Sequence, residues 1–577
     1  MSLTGAIQIA RSALSTSQLG LQVASQNLAN IANPSYTRQT ALLQGIRGQS
    51  SGKFTPGRGV QIRAIQRQVD SALQARMRNG ISDEQAATKS LVVASQLENV
   101  LNELTGYDLS TQLNEFFGSW SDAANLVNSS ATVVEQGDRI ASFIQGMRSD
   151  LSGLRDQIEA DIDAGVRNAD AKLDEVATLN AQINITGPSN SAANPLRDRR
   201  DELVNELSEM MDVTVVEDTQ GSYDLFVGST PVVLGGLSRG LEIERVPDGD
   251  TLSVRVRVKD DATPIDINSG SIGGLLDSRN GMVDQTMDRL DTLASELIFE
   301  INKIHATGAN PEGLTSASGT LQVTTDDQTL AFNDSNNTTF SDLPFGPENG
   351  GFFVEVTNPQ TGATSRVRID VDLDGLTDAG LNGTDDDTTP ADIASSLNAV
   401  DGLNASFGSD GKLNITADPG VTFRFADDSS GTLAALGVNA YFTGKDARSI
   451  AINQSLLDDP SSLMLGGVEG GSFVENATAL GIVDLQDLTL DALGGRSIEE
   501  HWSDSVQQVG VASSSAETSA QANTIVRQSL EAQRAAVSGV SADEESINLI
   551  NNQQQYEGAA RVISLADEMM RTLMALV

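Results

Sequence analysis

Counting in alternate steps of four and three from the amino terminus, Leu3, Ile7, Ala10, Leu14, Ser17, Leu21, Ala24, Leu28 and Ile31 fall on one line. That is the spacing of a coiled-coil seam, which places a small residue or a Leu or Ile on a single helix stripe at every step. The carboxy terminus repeats the pattern with Leu549, Asn552, Tyr556, Ala559, Ile563, Ala566, Met570, Leu573 and Val577. A first helix of about 30 residues would be ~45 Å long. Asn33 followed by Pro34 stops it, because the residue before a proline is pushed out of the α region. The second helix has a legible start: Gly539 can end the preceding helix, and Ser541-Ala542-Asp543-Glu544 fits a capping box. Two seams, one per terminus, predict that the chain ends meet.

Such stripes ordinarily pack into a globular core. Here the first helix has Arg11 as its one charged residue and is full of Ser, Thr, Asn and Gln. It therefore lacks the ion pairs that support exposed helices and is marginal alone. The expectation is a segment disordered in the free monomer that orders when other copies cover its stripe.

Charge sharpens this. Residues 1–69 contain no acidic side chain and carry a net +7, the remainder −49, giving −42 overall. An organelle transit peptide shares that composition, but the seam favours a basic arm docking on the acidic surface of a neighbouring copy. No apolar block precedes a small-residue cleavage site, so a secretory signal is not expected, and no apolar run reaches membrane-spanning length. The overall acidity opposes broad binding to nucleic acid or anionic membranes. With no cysteine and two histidines, His305 and His501, disulfides, thiolate zinc centres and thiol nucleophiles are excluded.

The 577 residues suggest about three to four domains. From Gln66 to Ile185 the pattern is helical, with breaks expected near Gly80, Gly106 and Gly187-Pro188. Asn194 before Pro195 reads as an N-cap with proline at the first helical position, and Arg197 and Asp201 as a weak surface pair. Val213, Val215, Leu225, Val227, Leu252, Val254 and Val256 alternate as a small antiparallel sheet would. A third heptad stripe runs through Val283, Met287, Leu290, Ala294, Leu297, Ile301 and Ile304, closed by Gly308. His305 lies in its last turn, where a histidine can cap carbonyls. Residues 315–445 are rich in Gly, Asp, Asn and Thr, with strands at Val354–Val356, Val367–Val371, Leu413–Ile415 and Val421–Phe425, and a helix at Ala391–Leu397. After Lys445 the helical pattern is expected to resume.

Little of this suggests chemistry. Asp370, Asp372, Asp374, Gly375 and Asp378 fill positions 1, 3, 5, 6 and 9 of an EF-hand-like loop, but the twelfth is Leu381 and the flanks read as strand. An exposed acidic hairpin turn is the plainer reading, with Asp385-Asp386-Asp387 as a solvated run that discourages aggregation. Gly48–Lys53 is a defective P-loop match, and His501-Trp502 reads as packing. No catalytic, cofactor-binding or metal-binding residues are expected.

Ser25–Gln39 (SQNLANIANPSYTRQ) resembles the amino-terminal signature of bacterial flagellar rod, hook and hook-associated proteins, and Ser538–Leu573 resembles their carboxy-terminal one. Asn194–Asp218, Gly270–Gly308 and Ser430–Asn453 are similar to blocks of the hook-associated members. Ser35 stands where the family usually has Gly, which puts the turn after Pro34 in question, and Ala542 where a larger apolar residue is common. The resemblance implies a multidomain α+β fold: a coiled-coil-like axial core from 1–70 with 538–577, a helical bundle from 71–212 with 270–314 and 446–537, a small β subdomain at 213–269, and an outer, mainly-β domain at 315–445. It implies a structural part of the flagellum, exported without a cleaved signal peptide by the type III apparatus and stacked helically as a homo-oligomer at the joint of hook and filament. The implied partners are the hook protein, the next junction protein and a cytosolic chaperone on the last helix. The expected assembly interface is Leu3, Ile7, Leu14, Leu21, Leu28 and Ile31 with Leu549, Tyr556, Ile563, Met570, Leu573 and Val577.

Overall fold

The computed structural model describes residues 3–47, 57–102, 106–125, 129–187, 190–248, 251–377 and 380–575. The chain begins with α1 (Leu3–Ala29) and an antiparallel hairpin of β1 (Gln39–Gly45) and β2 (Val60–Arg67). Four helices follow: α2 (Ser71–Leu101), α3 (Leu109–Asn125), α4 (Ser130–Thr186) and α5 (Asn194–Met210). Two small sheets come next. One holds β3 (Val213–Glu217), β4 (Tyr223–Val227), β5 (Thr230–Leu234) and β6 (Leu237–Ser238) in that order, the other β7 (Leu241–Asp248), β8 (Thr251–Val258) and β9 (Pro264–Ile265). Helix α6 (Gly270–Ser278) passes through a π-type turn into α7 (Asp284–Ala306).

Beyond it lie β10 (Ser316–Ser318), α8 (Thr338–Ser341), β11 (Gly350–Asn358), β12 (Ala363–Val371), α9 (Pro390–Asn398), β13 (Leu403–Phe407), β14 (Leu413–Ala417), β15 (Thr422–Ala426) and α10 (Thr432–Ala435). The strands form two three-stranded sheets, β12-β11-β15 and β10-β14-β13. Then come β16 (Phe442–Thr443), β17 (Ala451–Ile452), α11 (Gln454–Asp458), a hairpin of β18 (Gly467–Glu469) and β19 (Ser472–Val474), α12 (Ala477–Asp484), α13 (Ile498–Ser538) and α14 (Ala542–Ala575). The fold is multidomain α+β.

Two compact units divide the chain. The first comprises Met1–Val93, Gln157–Asn280 and Ser513–Val577, the second Ala94–Asp156 and Gly281–Ala512. In the first unit, α4 presents Ile158, Ile162, Val166, Ala169, Leu173, Val176, Leu179 and Ile183 as a buried stripe in steps of three and four, the period that keeps one helix face on a core. In the second, Phe352, Phe423, Phe425, Ile393, Leu397 and Ile415 make a dry core between the two outer sheets and α9. Helix α9 starts with a capping box, Thr389 accepting from Asp392 N–H and Asp392 accepting from Thr389 N–H. The third heptad stripe is buried from Val283 to Ile301, and Trp502 is fully buried.

Several expectations differ from the structure. Gly80 does not break a helix: α2 runs through it, and a Cβ there would sit 3.0 Å from the Leu530 side chain, so the glycine permits close packing. Asn194 is not the N-cap but a helical residue (φ −61°, ψ −44°). Its amide donates to Gln39 Oε1 at 3.1 Å, and Asn190 caps the short turn before it. Asp201 is buried rather than a surface partner of Arg197, which donates instead to Asn194 Oδ1. Helical structure does not resume directly after Lys445: β17 comes first, and the β18–β19 hairpin separates the short α11 from α12.

His305 is not a cap. It is 2% exposed in the second unit, with Nδ1 2.6 Å from the Asn439 carbonyl and Nε2 accepting from Met464 N–H at 3.3 Å. Trp120 and Tyr441 flank its ring at centroid distances of 6.4 and 5.7 Å. Burial pushes it down to about 4 against the opposing pull of the Asn439 carbonyl, so it is a neutral bridge between two backbone segments. Asp387 is not solvated either; it is 3% exposed. The P-loop-like stretch 48–53 and Asp378 lie outside the described residues.

Candidate functional site

The two terminal seams are the candidate site, and both lie in the first unit. Helices α1 and α14 pack along each other, as the matched spacing predicts. The deepest line of contact is made of small side chains. On α1 it is Ala10, Ser17 and Ala24, each seven residues from the next, and on α14 it is Ala559 and Ala566. Small residues at that spacing let two backbones approach closely. Gly20 extends the effect, because a Cβ there would meet Asn552 Oδ1 at 2.4 Å.

The large seam residues flank this line. Leu3, Ile7, Leu14, Leu21 and Leu28 are half-buried, as are Leu549, Ile563 and Met570. Tyr556 and Leu573 are 37% and 56% exposed, and Ile31 sits exposed beyond the end of α1. Val577 lies outside the described residues. A second apolar strip on α14 turns away from the seam: Ile547, Ile550, Val562, Leu565 and Met569 are all about half exposed or more. The β1–β2 hairpin lies against α1 and shows Leu42 and Leu43 to solvent, with a bulge between them.

A polar hub fixes how the two ends meet. Asn27 is 1% exposed; its amide donates to the Gln39 carbonyl at 2.9 Å, and its Oδ1 accepts from Tyr36 Oη at 2.8 Å and Gln39 N–H at 3.0 Å. One buried amide thus ties the end of α1 to the turn and to β1. Burial, helped by the charges of Asp198 and Glu545, pushes the Tyr36 hydroxyl up to about 12, so it remains a donor. Arg38 reaches α14: Nε lies 2.8 Å from Glu545 and Nη1 2.7 Å from Glu544. Its own N–H donates to the Ser538 carbonyl at 3.1 Å. Glu544 therefore pairs with Arg38, and only Ser541 makes its half of the expected capping box, accepting from Glu544 N–H at 3.5 Å.

At the same end of the hairpin, where Gln39 pairs with Arg67, Arg67 Nε is 2.8 Å from Asp198, and its guanidinium also pairs with Asp201, which accepts from Tyr223 Oη at 2.9 Å. Two of the seven early basic residues are thus paired within this chain, where the sequence suggested a neighbouring copy. Ser35 needs no glycine-like backbone, since it is not among the residues with positive φ. Its hydroxyl donates to Glu202 Oε1 at 2.8 Å. Seam periodicity does not reveal Asn27, Tyr36, Arg38 or Glu545; the signal for them lay in the two quoted terminal stretches and in the absence of acid from residues 1–69.

Among the described residues, no helix is long and apolar enough to cross a membrane. The arrangement offers apolar strips and small-residue contact lines, the chemistry of helix-to-helix assembly.

Comparison with known proteins agrees with the terminal signatures. Residues 94–321 match the family described as flagellar hook-associated protein FlgK helical domain, and residues 531–576 the C-terminal family of the flagellar basal body rod FlgEFG protein. The chain is 24% identical to flagellar hook-associated protein 1 of Escherichia coli (strain K12), over 98% of each chain. Against the protein of the same name from Bacillus subtilis (strain 168) the identity is 25%, over 98% of this chain and 96% of the relative. A solved structure described as the flagellar hook junction protein FlgK from Burkholderia pseudomallei aligns with a TM-score of 0.48 and 16% identity, over 80% of this chain and 99% of that one.

Proposed function

We infer that this chain, a flagellar hook-associated protein by its similarity to hook-associated protein 1 along 98% of its length, is a structural part of the hook–filament junction and works without an active site. The observation that carries the reading is the α1–α14 pair. Both chain ends meet in one thin two-helix element whose dry contact is a line of alanines and a serine. That leaves half-buried Ile7, Leu14, Leu21 and Leu28, and the outer strip of α14, with apolar surface that further copies can cover.

Copies stack by heterologous contacts, one surface of the element meeting a different surface on the next subunit, which generates a helical array. The array is bounded by the hook protein on one side and the next junction protein on the other. The axial core is 1–70 with 538–577, the helical bundle 71–212 with 270–314 and 446–537, and the β parts 213–269 and 315–445. The subunit leaves the cell through the flagellar type III apparatus with its amino terminus uncleaved and becomes extracellular on the flagellum. In the cytosol a chaperone covers α14, where exposed Met569 and Met574 supply an adaptable apolar surface.

Electron microscopy of cells lacking the protein tests the reading. Hooks without filaments are expected; filaments of normal number and attachment would overturn it.

A further inference from the structure

The acidic turn after β12 is built differently from the loop its spacing suggested. Two runs of chain close on each other there. Asp372 N–H donates to Thr388 Oγ1 and Thr388 N–H to the Asp372 carbonyl, both at 2.8 Å. Farther out, Gly383 N–H donates to the Gly375 carbonyl at 3.0 Å and Thr377 N–H to the Leu381 carbonyl at 2.8 Å. The segment is a narrow hairpin. Asp372 and Asp374, two residues apart, lie on one run and Asp387 on the other, beside the Asp372–Thr388 closure. One carboxylate oxygen from each of Asp372, Asp374 and Asp387 lies within 4.8 Å of the other two.

A second observation points into this cluster. Asp387 is 3% exposed. Its Oδ2 accepts from the Asn333 amide at 2.7 Å, while Oδ1 is buried with no hydrogen-bond partner among the described residues. A buried carboxylate oxygen needs a donor or a cation. Among the described residues, no lysine or arginine forms an ion pair with any of the three. Asp374 Oδ1 accepts from Leu376 N–H at 2.8 Å, which holds that side chain in place. Asp370, the first position of the sequence match, is instead exposed and paired with Arg368 at 3.2 Å.

We propose that Asp372, Asp374 and Asp387 form a calcium site that pins the base of this hairpin to the β core beneath it. The donors are oxygens only, which selects a hard cation over zinc. Oxygens sharing a Ca²⁺ ion, each 2.3–2.6 Å from it, can be about 5 Å apart, whereas those sharing Mg²⁺ stay within about 4.2 Å. Separations within 4.8 Å satisfy the calcium limit, and calcium's tolerance of irregular shells completed by backbone oxygens and water, against magnesium's demand for a near-ideal octahedron, favours the larger ion. Three carboxylates leave the remaining positions of a six- to eight-fold shell to water and backbone oxygens. That places the dissociation constant at roughly 0.1–1 mM, the range of extracellular modules.

Calorimetry of the full chain, freed of metal by chelation and titrated with CaCl₂ at about 0.15 M salt to screen its general acidity, tests the site. One saturable site is expected, weakened at least tenfold by Asp374→Asn and by Asp372→Asn, both at exposed positions where the fold should survive. Calcium should also raise the melting temperature of the wild-type chain and leave that of Asp374→Asn unchanged. No saturable binding up to about 10 mM, or binding that both substitutions leave intact, would overturn the proposal. Magnesium binding as tightly as calcium would overturn the choice of ion.

Discussion

Single residues in this chain do their work by being neutral or paired where they are buried, and His305 shows this most clearly. Its Nδ1–H serves the Asn439 carbonyl and its bare Nε2 receives Met464 N–H, so a second proton would set a donor against a donor. Burial holds its folded-state value near 4, against about 6.5 in an unfolded chain. Between those values the unfolded chain binds the extra proton and the folded one does not. Stability should therefore fall as pH drops from about 6.5 towards 4, by up to roughly 3 kcal/mol in total. Melting temperature measured from pH 7.5 to 4.5 should decline less steeply in His305→Gln than in the wild type; parallel slopes would remove the histidine from the account. The sequence put His305 in the last turn of a helix, correctly, but its partners are 134 and 159 residues away, and spacing along one helix carries no trace of them. Arg38 is hidden for the same reason, with Glu545 507 residues away, and Asn27 because it falls off the seam spacing. A buried amide and an ion pair between distant parts of one chain leave no period in the sequence.

At the scale of elements, period was informative and punctuation was not. The 4-3 spacing placed α1 and α14 and their mutual contact, because a seven-residue repeat fixes which face two helices share. It could not say which seam residues are driest. Alternating small and large residues left both arrangements open, and the structure puts Ala10, Ser17, Ala24, Ala559 and Ala566 at the centre. Gly80 misled because a helical glycine marks a close neighbour as readily as a break, and here the neighbour is Leu530. The β18–β19 hairpin was missed because its three-residue strands are too short to show alternation. These placements separate two kinds of substitution. Ala559→Leu forces a larger side chain into the helix contact and should destabilise the first unit by about 1–3 kcal/mol. Leu565→Ser, at a position 58% exposed, should shift stability by less than about 0.5 kcal/mol yet reduce incorporation into flagella. Denaturant unfolding of purified protein, with immunoblots of isolated flagella, checks both. Equal stability losses would mean that the outer strip of α14 is not a free surface.

For the whole molecule, the uneven distribution of dry surface carries the functional reading. The portion of α4 in the first unit buries a continuous stripe of large aliphatic side chains from Ile158 to Ile183, most of them at 2% exposure or less. Helix α1 buries fully only Ala10, Ser17, Ala24 and Asn27. At roughly 25 cal/mol per Å² of apolar area, a line of methyl groups offsets little of the 1–2 kcal/mol per residue that ordering a backbone costs. Its sequence adds no i,i+4 ion pairs to help. The polar hub at Asn27 and Arg38 anchors the carboxy-terminal end of α1 through a buried amide and a charged pair, whereas the amino-terminal half meets the hairpin through Ser12 and Gln8. Amide hydrogen exchange on the dilute monomer should therefore show α1 exchanging faster than α4, with protection along α1 rising towards Asn27. The proposed stacking, in which neighbouring copies cover the half-buried Ile7, Leu14 and Leu21, predicts that protection extends to the amino-terminal turns in assembled flagella. Strong, uniform protection across Leu3–Ala29 in the monomer would mean that the two-helix element is complete by itself. Its apolar flanks would then give no thermodynamic reason for subunits to join.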